Sequence, residues 1–308
     1  MNKITPFALA ALCLSSAPAC AVTIVYPNYG VASVAATAAV DPTTGTVTLN
    51  NVDSASTPNG LASVNDGQGG AAVASTDYGA NHAYASYTNT DLSSVASAAA
   101  SLWYDQITIT GGTGTGTATL KSTLNGTADV GVPEGTAAYV LGTTTINPAT
   151  MASSTISFNS VSLPLNLDTS QLTTVASYVV GTPGAAAACT SQLGTTCPTF
   201  NQILGTGTGQ AIQANPTGSF SFTYGQPFYL VGLLGAGVSQ NFSTATAAPT
   251  TFDFSNTGLL NQIVLPQGAT LSDASGTTYN VAAVPEPAEW LTLVAGLGLI
   301  GLVALRRA

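Results

Sequence analysis

The strongest constraint on the fold is a strict alternation of residue types in the middle of the chain. In "DQITIT" (105–110), Ile107 and Ile109 alternate with threonines, and a threonine stands at every second position of 113–119. Successive side chains of a β-strand point to opposite faces, so a period of two predicts strands with one polar, β-branched face and one face of small or apolar residues. The chain shows no sustained helical period.

Further segments have the composition of strands and are separated by Gly, Pro, Asn and Asp turn signals. They lie at 46–52, 154–167, 218–234, 250–260 and 274–281. Many short strands at these intervals predict an all-β fold, a β-sandwich with jelly-roll-like connections, in one exported domain over 22–283. The segment 93–104 is compatible with a helix or a strand, and 169–215 is expected to hold a long loop.

Charge is nearly absent from the interior of the sequence. The chain has four basic residues, and Lys121 is the one that lies away from the ends, against eleven acids in 22–283. A single lysine cannot neutralise a row of phosphates, which excludes nucleic acid as a partner. The surface must instead be made polar by Thr, Ser, Asn and Gln.

The N-terminal 21 residues have the pattern of an export signal. Lys3 supplies the positive start, "FALAALCLSSA" the apolar stretch, and Ala19-Cys20-Ala21 the small residues before a cleavage site. We expect residues 1–21 to be a signal peptide and the protein to be secreted.

Cys189 and Cys197 are the two cysteines that remain after such a signal. In an oxidising compartment they are candidates for a disulfide that pins the 182–205 insert, and two free thiols are the alternative. A zinc site needs more ligands than these two thiols and the single histidine, His82. No metal site is therefore predicted there.

The last residues form an apolar stretch with a basic end. Trp290 to Leu305 contains neither charge nor proline, and Arg306 and Arg307 follow it. Arginines placed after an apolar segment hold the cytoplasmic end of a membrane helix, and a tryptophan suits the opposite interface. We therefore expect 290–305 to anchor the precursor in the inner membrane, with a buried core helix as the alternative.

Together with the Pro285-Glu286-Pro287 triplet before it, this tail resembles the PEP-CTERM sorting signal of Gram-negative bacteria. All three parts occur in the family's order, over 284–308. The resemblance implies recognition and cleavage by a membrane-embedded exosortase, then transfer to the cell surface or extracellular matrix. Inside the chain, "FTYGQPFYL" and "FDFSNT" are similar to segments of exported β-rich proteins that carry this tail, which supports the fold class.

Residue sets for catalysis are not evident. His82 would need a nucleophile and an orienting carboxylate such as Asp77, but "DYGANHAYASY" has no nucleophile-elbow pattern, and a polar loop histidine is the simpler interpretation. Most acids stand in turn contexts, where Asp caps backbone groups. We predict no catalytic residues and no enzyme activity.

Two kinds of ligand remain possible. Calcium is a possible cofactor at Asp253 with Asn256 or at Asn65 with Asp66, with turn capping as the alternative. A sugar-binding face would use aromatic side chains, which are equally compatible with a core. The candidates for such a face are Trp103, Tyr104, Tyr224, Phe228 and Tyr229.

The sequence therefore predicts a non-enzymatic surface or matrix protein linked to exopolysaccharide and biofilm. The alternative is a carbohydrate-binding module of the cell surface.

Overall fold

The chain folds into two stacked β-sheets with an additional hairpin. The structure, a computed structural model, describes residues 31–40, 47–55, 60–67, 69–88, 94–131, 134–151, 154–158, 161–165, 167–182, 200–240 and 248–283. Within these residues the secondary structure is eighteen β-strands and two short 3-10 turns. The prediction of an all-β sandwich is thereby confirmed at the level of its two sheets.

Sheet A has eight strands. Seven of them lie side by side, and the eighth pairs with the C-terminal part of the fifth. In spatial order they are β12 (Gln202–Ile203), β11 (Thr173–Gly181), β8 (Glu134–Thr144), β15 (Pro227–Gln240), β6 (Ser94–Thr110), β1 (Val31–Val40) and β2 (Val47–Ala55), with β17 (Thr270–Asp273) on β6. All pairs are antiparallel except β11 with β12.

Sheet B also has eight strands. In spatial order they are β13 (Gly207–Ala214), β7 (Thr115–Val130), β16 (Thr250–Leu265), β5 (Ala80–Tyr87), β4 (Gly70–Asp77) and β3 (Gly60–Asn65), with β14 (Thr217–Thr223) on β7 and β18 (Val281–Ala283) on β16. Here the parallel pair is β16 with β18.

The alternation of the sequence directs side chains inward and outward as predicted. On β7, Ala118, Leu120 and Leu124 are buried between the sheets, whereas Thr117 and Lys121 are exposed on the outer face of sheet B. The main core between the sheets combines many alanines with a few large rings. The largest buried side chains there include Trp103, Tyr139, Phe252 and Phe254.

Residues 94–104 of the alanine-rich segment belong to strand β6. Ala96, Ala98 and Ala100 are completely buried on the outer face of sheet A, while Ala99 is buried in the main core. Both faces of β6 are covered, so small side chains are needed on both, and this two-sided burial conceals the period of two.

A hairpin forms a third layer on the outer face of sheet A. The segment 154–167, predicted as one strand, makes β9 (Ser154–Phe158) and β10 (Val161–Leu165). The hairpin lies against β1, β6, β8 and β15. The outer face of sheet A carries a second apolar cluster, which includes Leu102, Val231 and Leu233.

The segment 169–215 contains strands β11 at 173–181 and β13 at 207–214, and the long loop expected around Cys189 and Cys197 falls outside the described residues. One sequence expectation is wrong. Residues 274–280 do not form the expected strand; they turn, with Gly276 at a φ of +76° and the amide of Thr277 bonded to the Asp273 carboxylate. Local side-chain bonds of this kind compete with a strand ladder.

Residues 266–283, which we call the C-terminal strap, therefore run from one sheet to the other. β17 pairs with residues 107–110 of β6 in sheet A, and β18 pairs with residues 263–265 of β16 in sheet B. The irregular stretch 274–280 connects them.

Candidate functional site

Several predicted site residues lie outside the described residues. They are the sorting motif Pro285, Glu286 and Pro287, the anchor residues Trp290, Arg306 and Arg307, and the cysteines Cys189 and Cys197. The signal peptide at 1–21 and the apolar segment at 290–305 lie outside as well. In the part of the chain that the structure describes, no helix has the length and apolar character needed to cross a membrane.

His82 lies in strand β5 and not in a loop. Its side chain is on the outer face of sheet B, and its Nδ1 is 2.7 Å from the carbonyl oxygen of Ser255, which requires Nδ1 to carry a proton and donate. The carboxylate of Asp77 accepts the amide of Tyr78 at 2.8 Å. Neither residue is placed beside a nucleophile by these contacts.

Three of the four proposed calcium ligands accept backbone amides, and the side chain of the fourth, Asn256, lies outside the described residues. Asn65 Oδ1 accepts the amide of Gly67, Asp66 Oδ1 accepts the amide of Gly70, and Asp253 Oδ1 accepts the amide of Ser255. The bonds of Asn65 and Asp253 reach the amide two residues further on, as in Asx turns, and that of Asp66 reaches four residues further on. Within the described ranges, no three His, Cys, Asp or Glu side chains come together in a group that could hold a metal ion.

The five candidate aromatic residues separate into three environments. Trp103 is completely buried and Phe228 nearly so, both in the main core. Tyr224 packs edge-on against Phe222, with ring centroids 4.9 Å apart. Tyr104 and Tyr229 are half-buried on the outer face of sheet A, 6.4 Å apart and inclined by 69°. Rings at this angle cannot lie flat against one row of sugars, so the five do not form a common platform.

The structure brings together one cluster of titratable groups that the sequence interpretation missed, at the point where the strap crosses β6. Asp105 is only 3% exposed although it is a carboxyl. Its Oδ2 accepts from Ser275 Oγ at 2.5 Å and from the Tyr279 hydroxyl at 2.9 Å, and its Oδ1 accepts the amide of Ser275 at 3.2 Å. Ser275 Oγ is also 3.0 Å from Asp273 Oδ1.

The surroundings of Asp105 favour its neutral form. Burial raises the pKa of the Asp105 carboxyl; hydrogen bonds from Ser275 and Tyr279 act in the opposite direction, and repulsion by Asp273 adds to the rise. Burial, followed by the charge of Asp105, also raises the pKa of the Tyr279 hydroxyl and that of Tyr78 in the turn between β4 and β5.

A signal for this cluster was present in the sequence. Residue 105 has the same parity as Trp103, Ile107 and Ile109, so an acid occupies a position whose strand neighbours are core residues. An inward-facing carboxyl needs hydrogen-bond partners. Its partners lie about 170 residues further along the chain, where sequence spacing carries no information.

A second buried polar group connects the two sheets. Asn81 on β5 is completely buried, and its Nδ2 donates to the carbonyl of Ser101 at 2.9 Å and to that of Gly232 at 3.4 Å. The indole N–H of Trp103 donates to Asn81 Oδ1 at 2.9 Å. We call these contacts the Asn81 bridge, since Asn81 belongs to sheet B and its partners to sheet A.

Tyr139 is the third buried polar group of interest. Its ring packs over Gly258 of the opposite sheet, and no described atom meets hydrogen-bond geometry with its hydroxyl. Burial raises the pKa of Tyr139 well above its ordinary value, against a smaller opposing effect of Ser122. The Ser122 hydroxyl donates to the carbonyl of Pro216 at 2.7 Å, so its proton is not available to Tyr139.

The outer face of sheet B carries paired rows of hydroxyl groups. Thr115, Thr117 and Thr119 of β7 stand opposite Thr223, Ser221 and Ser219 of β14, and the hydroxyls of Thr119 and Ser219 are 2.8 Å apart. Lys121 continues the β7 row and is exposed. The part of this face formed by the paired rows is polar and uncharged apart from Lys121, and the carboxylates of Asp129 and Asp253 lie further along the same face.

Comparisons with protein-family models, with curated proteins and with solved structures gave no match.

Proposed function

We propose that this chain is an exported, non-enzymatic protein of the cell surface or extracellular matrix, sorted by an exosortase through residues 284–308. The observation that carries the proposal is the tripartite tail itself, with Pro285-Glu286-Pro287, an apolar segment and two terminal arginines in order. In this proposal the precursor is held in the inner membrane by 290–305 until cleavage, and the released domain joins an exopolysaccharide or biofilm matrix.

Two features of the described domain are compatible with this arrangement. The last described strand, β18, ends at Ala283, two residues before the motif. The tail therefore begins after the last strand of the two sheets that the structure describes. Residues 22–283 contain eleven acids and one lysine, a net charge of −10. Such a charge keeps an exported domain soluble and repels it from acidic polymers.

Jelly-roll-like connections remain part of the proposal. The long strands that follow each other in sequence lie in opposite sheets: β6 in sheet A is followed by β7 in sheet B, and β15 in sheet A by β16 in sheet B. Crossing between sheets in this way is the pattern of a jelly roll.

The test is the mass of the protein recovered from the cell surface of a bacterium that has an exosortase, and of the same strain without it. We expect the recovered wild-type protein to lack the residues after the motif. Glu286→Ala should remain full-length in the membrane fraction, whereas the matched control Glu289→Ala should be processed. Surface protein that retains Arg306 and Arg307 would contradict the proposal.

A neutral-glycan-binding module is the second candidate, favoured by the hydroxyl rows on β7 and β14. Hydroxyls at regular strand spacing can exchange hydrogen bonds with a neutral polysaccharide, whereas an acidic one would need a bridging cation. Co-sedimentation with an insoluble neutral glucan tests this. Binding should fall on Thr117→Val and be unchanged on Thr174→Val, an exposed threonine of sheet A. Equal binding by both variants, or none by the wild type, would exclude this face.

A further inference from the structure

The C-terminal strap is held on the domain by few apolar contacts. Every residue of 266–283 is exposed or half-buried, and its apolar contacts with the main core come from Ala269, Leu271 and Tyr279. The side chains beside it, including Ile107 and Ile109, are fully buried within the sandwich. The attachment therefore depends on two short strand pairings and on the cluster around Asp105.

The hydrogen bonds of this cluster require an additional proton. Ser275 Oγ lies within bonding distance of Asp105 Oδ2 and of Asp273 Oδ1, yet a hydroxyl has one proton and can donate to one of them. If both carboxyls are ionised, one oxygen faces the serine oxygen without a hydrogen between them. A proton on Asp105 resolves this, because Asp105 then donates to Ser275 Oγ and Ser275 donates to Asp273.

The groups that face Asp105 supply no positive charge to replace that proton. The strap contributes Asp273 and Tyr279. The turn between β4 and β5 contributes Tyr78, and Asp77 precedes it. On the neighbouring strand β15 the residue opposite is Leu230. The basic side chains of the described residues are Lys121 and His82, and both are on the outer face of sheet B.

We propose that Asp105, Ser275 and Asp273 form a proton-dependent latch that holds the strap closed when the cluster carries one carboxyl proton and loosens it when that proton is lost. Opening would free the edge of β6 at 107–110 and the edge of β16 at 263–265. The inference rests on the described residues and is independent of the proposal for the tail.

The direction of the pH effect follows from linkage. The closed strap holds Asp105 in a site that raises its pKa above the ordinary 3.8, so closure takes up a proton. The latch's contribution is therefore complete below pH 3.8 and is lost as the pH rises through the raised pKa. Within that window the opening constant rises by up to tenfold per pH unit, the limit for one proton.

Hydrogen–deuterium exchange of the full chain between pH 4 and pH 8, corrected for the intrinsic exchange rate, tests the latch. We expect protection of 270–283 to fall as the pH rises, while protection of β7 stays constant. Asp105→Asn has an amide N–H that can donate to Ser275 Oγ as the protonated carboxyl does, and it has no proton to lose, so its strap should be protected equally at all pH values.

Asp129→Asn is the matched control. It removes one acid on β7, where the carboxylate accepts the amide of Gly209 far from the strap in the fold, and should keep the wild-type pH dependence. A flat wild-type profile, or the wild-type dependence in Asp105→Asn, would overturn the latch.

If Asp105→Asn does not fold, Tyr279→Phe provides a second test. It removes a hydrogen bond that favours the ionised carboxylate, so the loss of protection should move to higher pH. An unchanged position of that loss would equally overturn the proposal.

Discussion

Replacing Asn81 by alanine should destabilise the whole sandwich. Asn81→Ala removes both halves of the Asn81 bridge: the amide that donates to sheet A and the oxygen that accepts the Trp103 indole N–H. All of these groups are buried, so water cannot take the place of the lost side chain without entering the core.

The magnitude follows from the groups left behind. A buried donor without an acceptor costs about 1–3 kcal/mol, which applies to the Trp103 indole. The carbonyls of Ser101 and Gly232 each lose a donor, and a typical intramolecular hydrogen bond contributes roughly 1 kcal/mol. Together these contributions give a fall in the free energy of unfolding of about 3–5 kcal/mol.

Trypsin offers an assay with a single informative site. Lys121 is the one basic residue between Lys3 and Arg306, and it lies in the middle of β7, paired with Thr217 on one side and Gln262 on the other. A protease needs an extended, accessible segment, so cleavage there reports unfolding of sheet B. Brief trypsin pulses over a urea series then give the fraction folded from the loss of intact domain.

The control and a double mutant make the result specific. Asn125→Ala on the exposed face of β7 should change the free energy of unfolding by less than about 0.5 kcal/mol. In a Trp103→Phe background Asn81→Ala should cost at least about 1 kcal/mol less than in the wild type, because no indole donor is orphaned. A cost for Asn81→Ala below about 1 kcal/mol would refute the assigned importance of the bridge.

Three other predictions use the same urea assay or a titration. Gly232→Ala should lower the free energy of unfolding by about 2–3 kcal/mol, because a Cβ there would lie 2.3 Å from the Trp103 Nε1. The control Gly205→Ala should be nearly neutral, because a Cβ at residue 205 would meet no described atom within 4 Å. Tyr139→Phe should be neutral or stabilising by up to about 1 kcal/mol, since no described residue meets hydrogen-bond geometry with the hydroxyl; a clear loss of stability would show a bond to it. Burial, aided by neighbouring tyrosines, raises the pKa of Tyr104 to about 12, so its contribution to stability should disappear as the pH rises from 10 to 12, and Tyr104→Phe should flatten that decline.

The sequence predicted the strands that have one polar face. Residues 105–110 of β6 and 115–119 of β7 alternate because one side of each strand is at least partly exposed there and the other is buried, and the pattern is visible without any tertiary information. Segment 93–104 was ambiguous because both sides of β6 are covered there. Burial on two sides removes the contrast on which periodicity depends.

Sequence patterns could not predict the path of the strap or the cluster around Asp105. "ASGTTYN" has the composition of a strand, but its backbone is directed by the carboxylates of Asp105 and Asp273, which capture the amides of Ser275 and Thr277. Strand propensity is weak compared with several such bonds. The Asn81 bridge is equally non-local, since the parity of residue 81 indicates burial but not the identity of the partner strand.

The two buried polar groups have different consequences because they act at different places. Asn81 is uncharged at every pH and joins the sheets at their centre, so its contribution does not vary with pH and is lost only on unfolding. Asp105 is ionisable and fixes a peripheral segment that buries little of its own surface. An opening of the strap therefore leaves the Asn81 bridge and the main core in place. For this reason loss of the proton should increase exchange in 270–283 before Lys121 becomes accessible to trypsin.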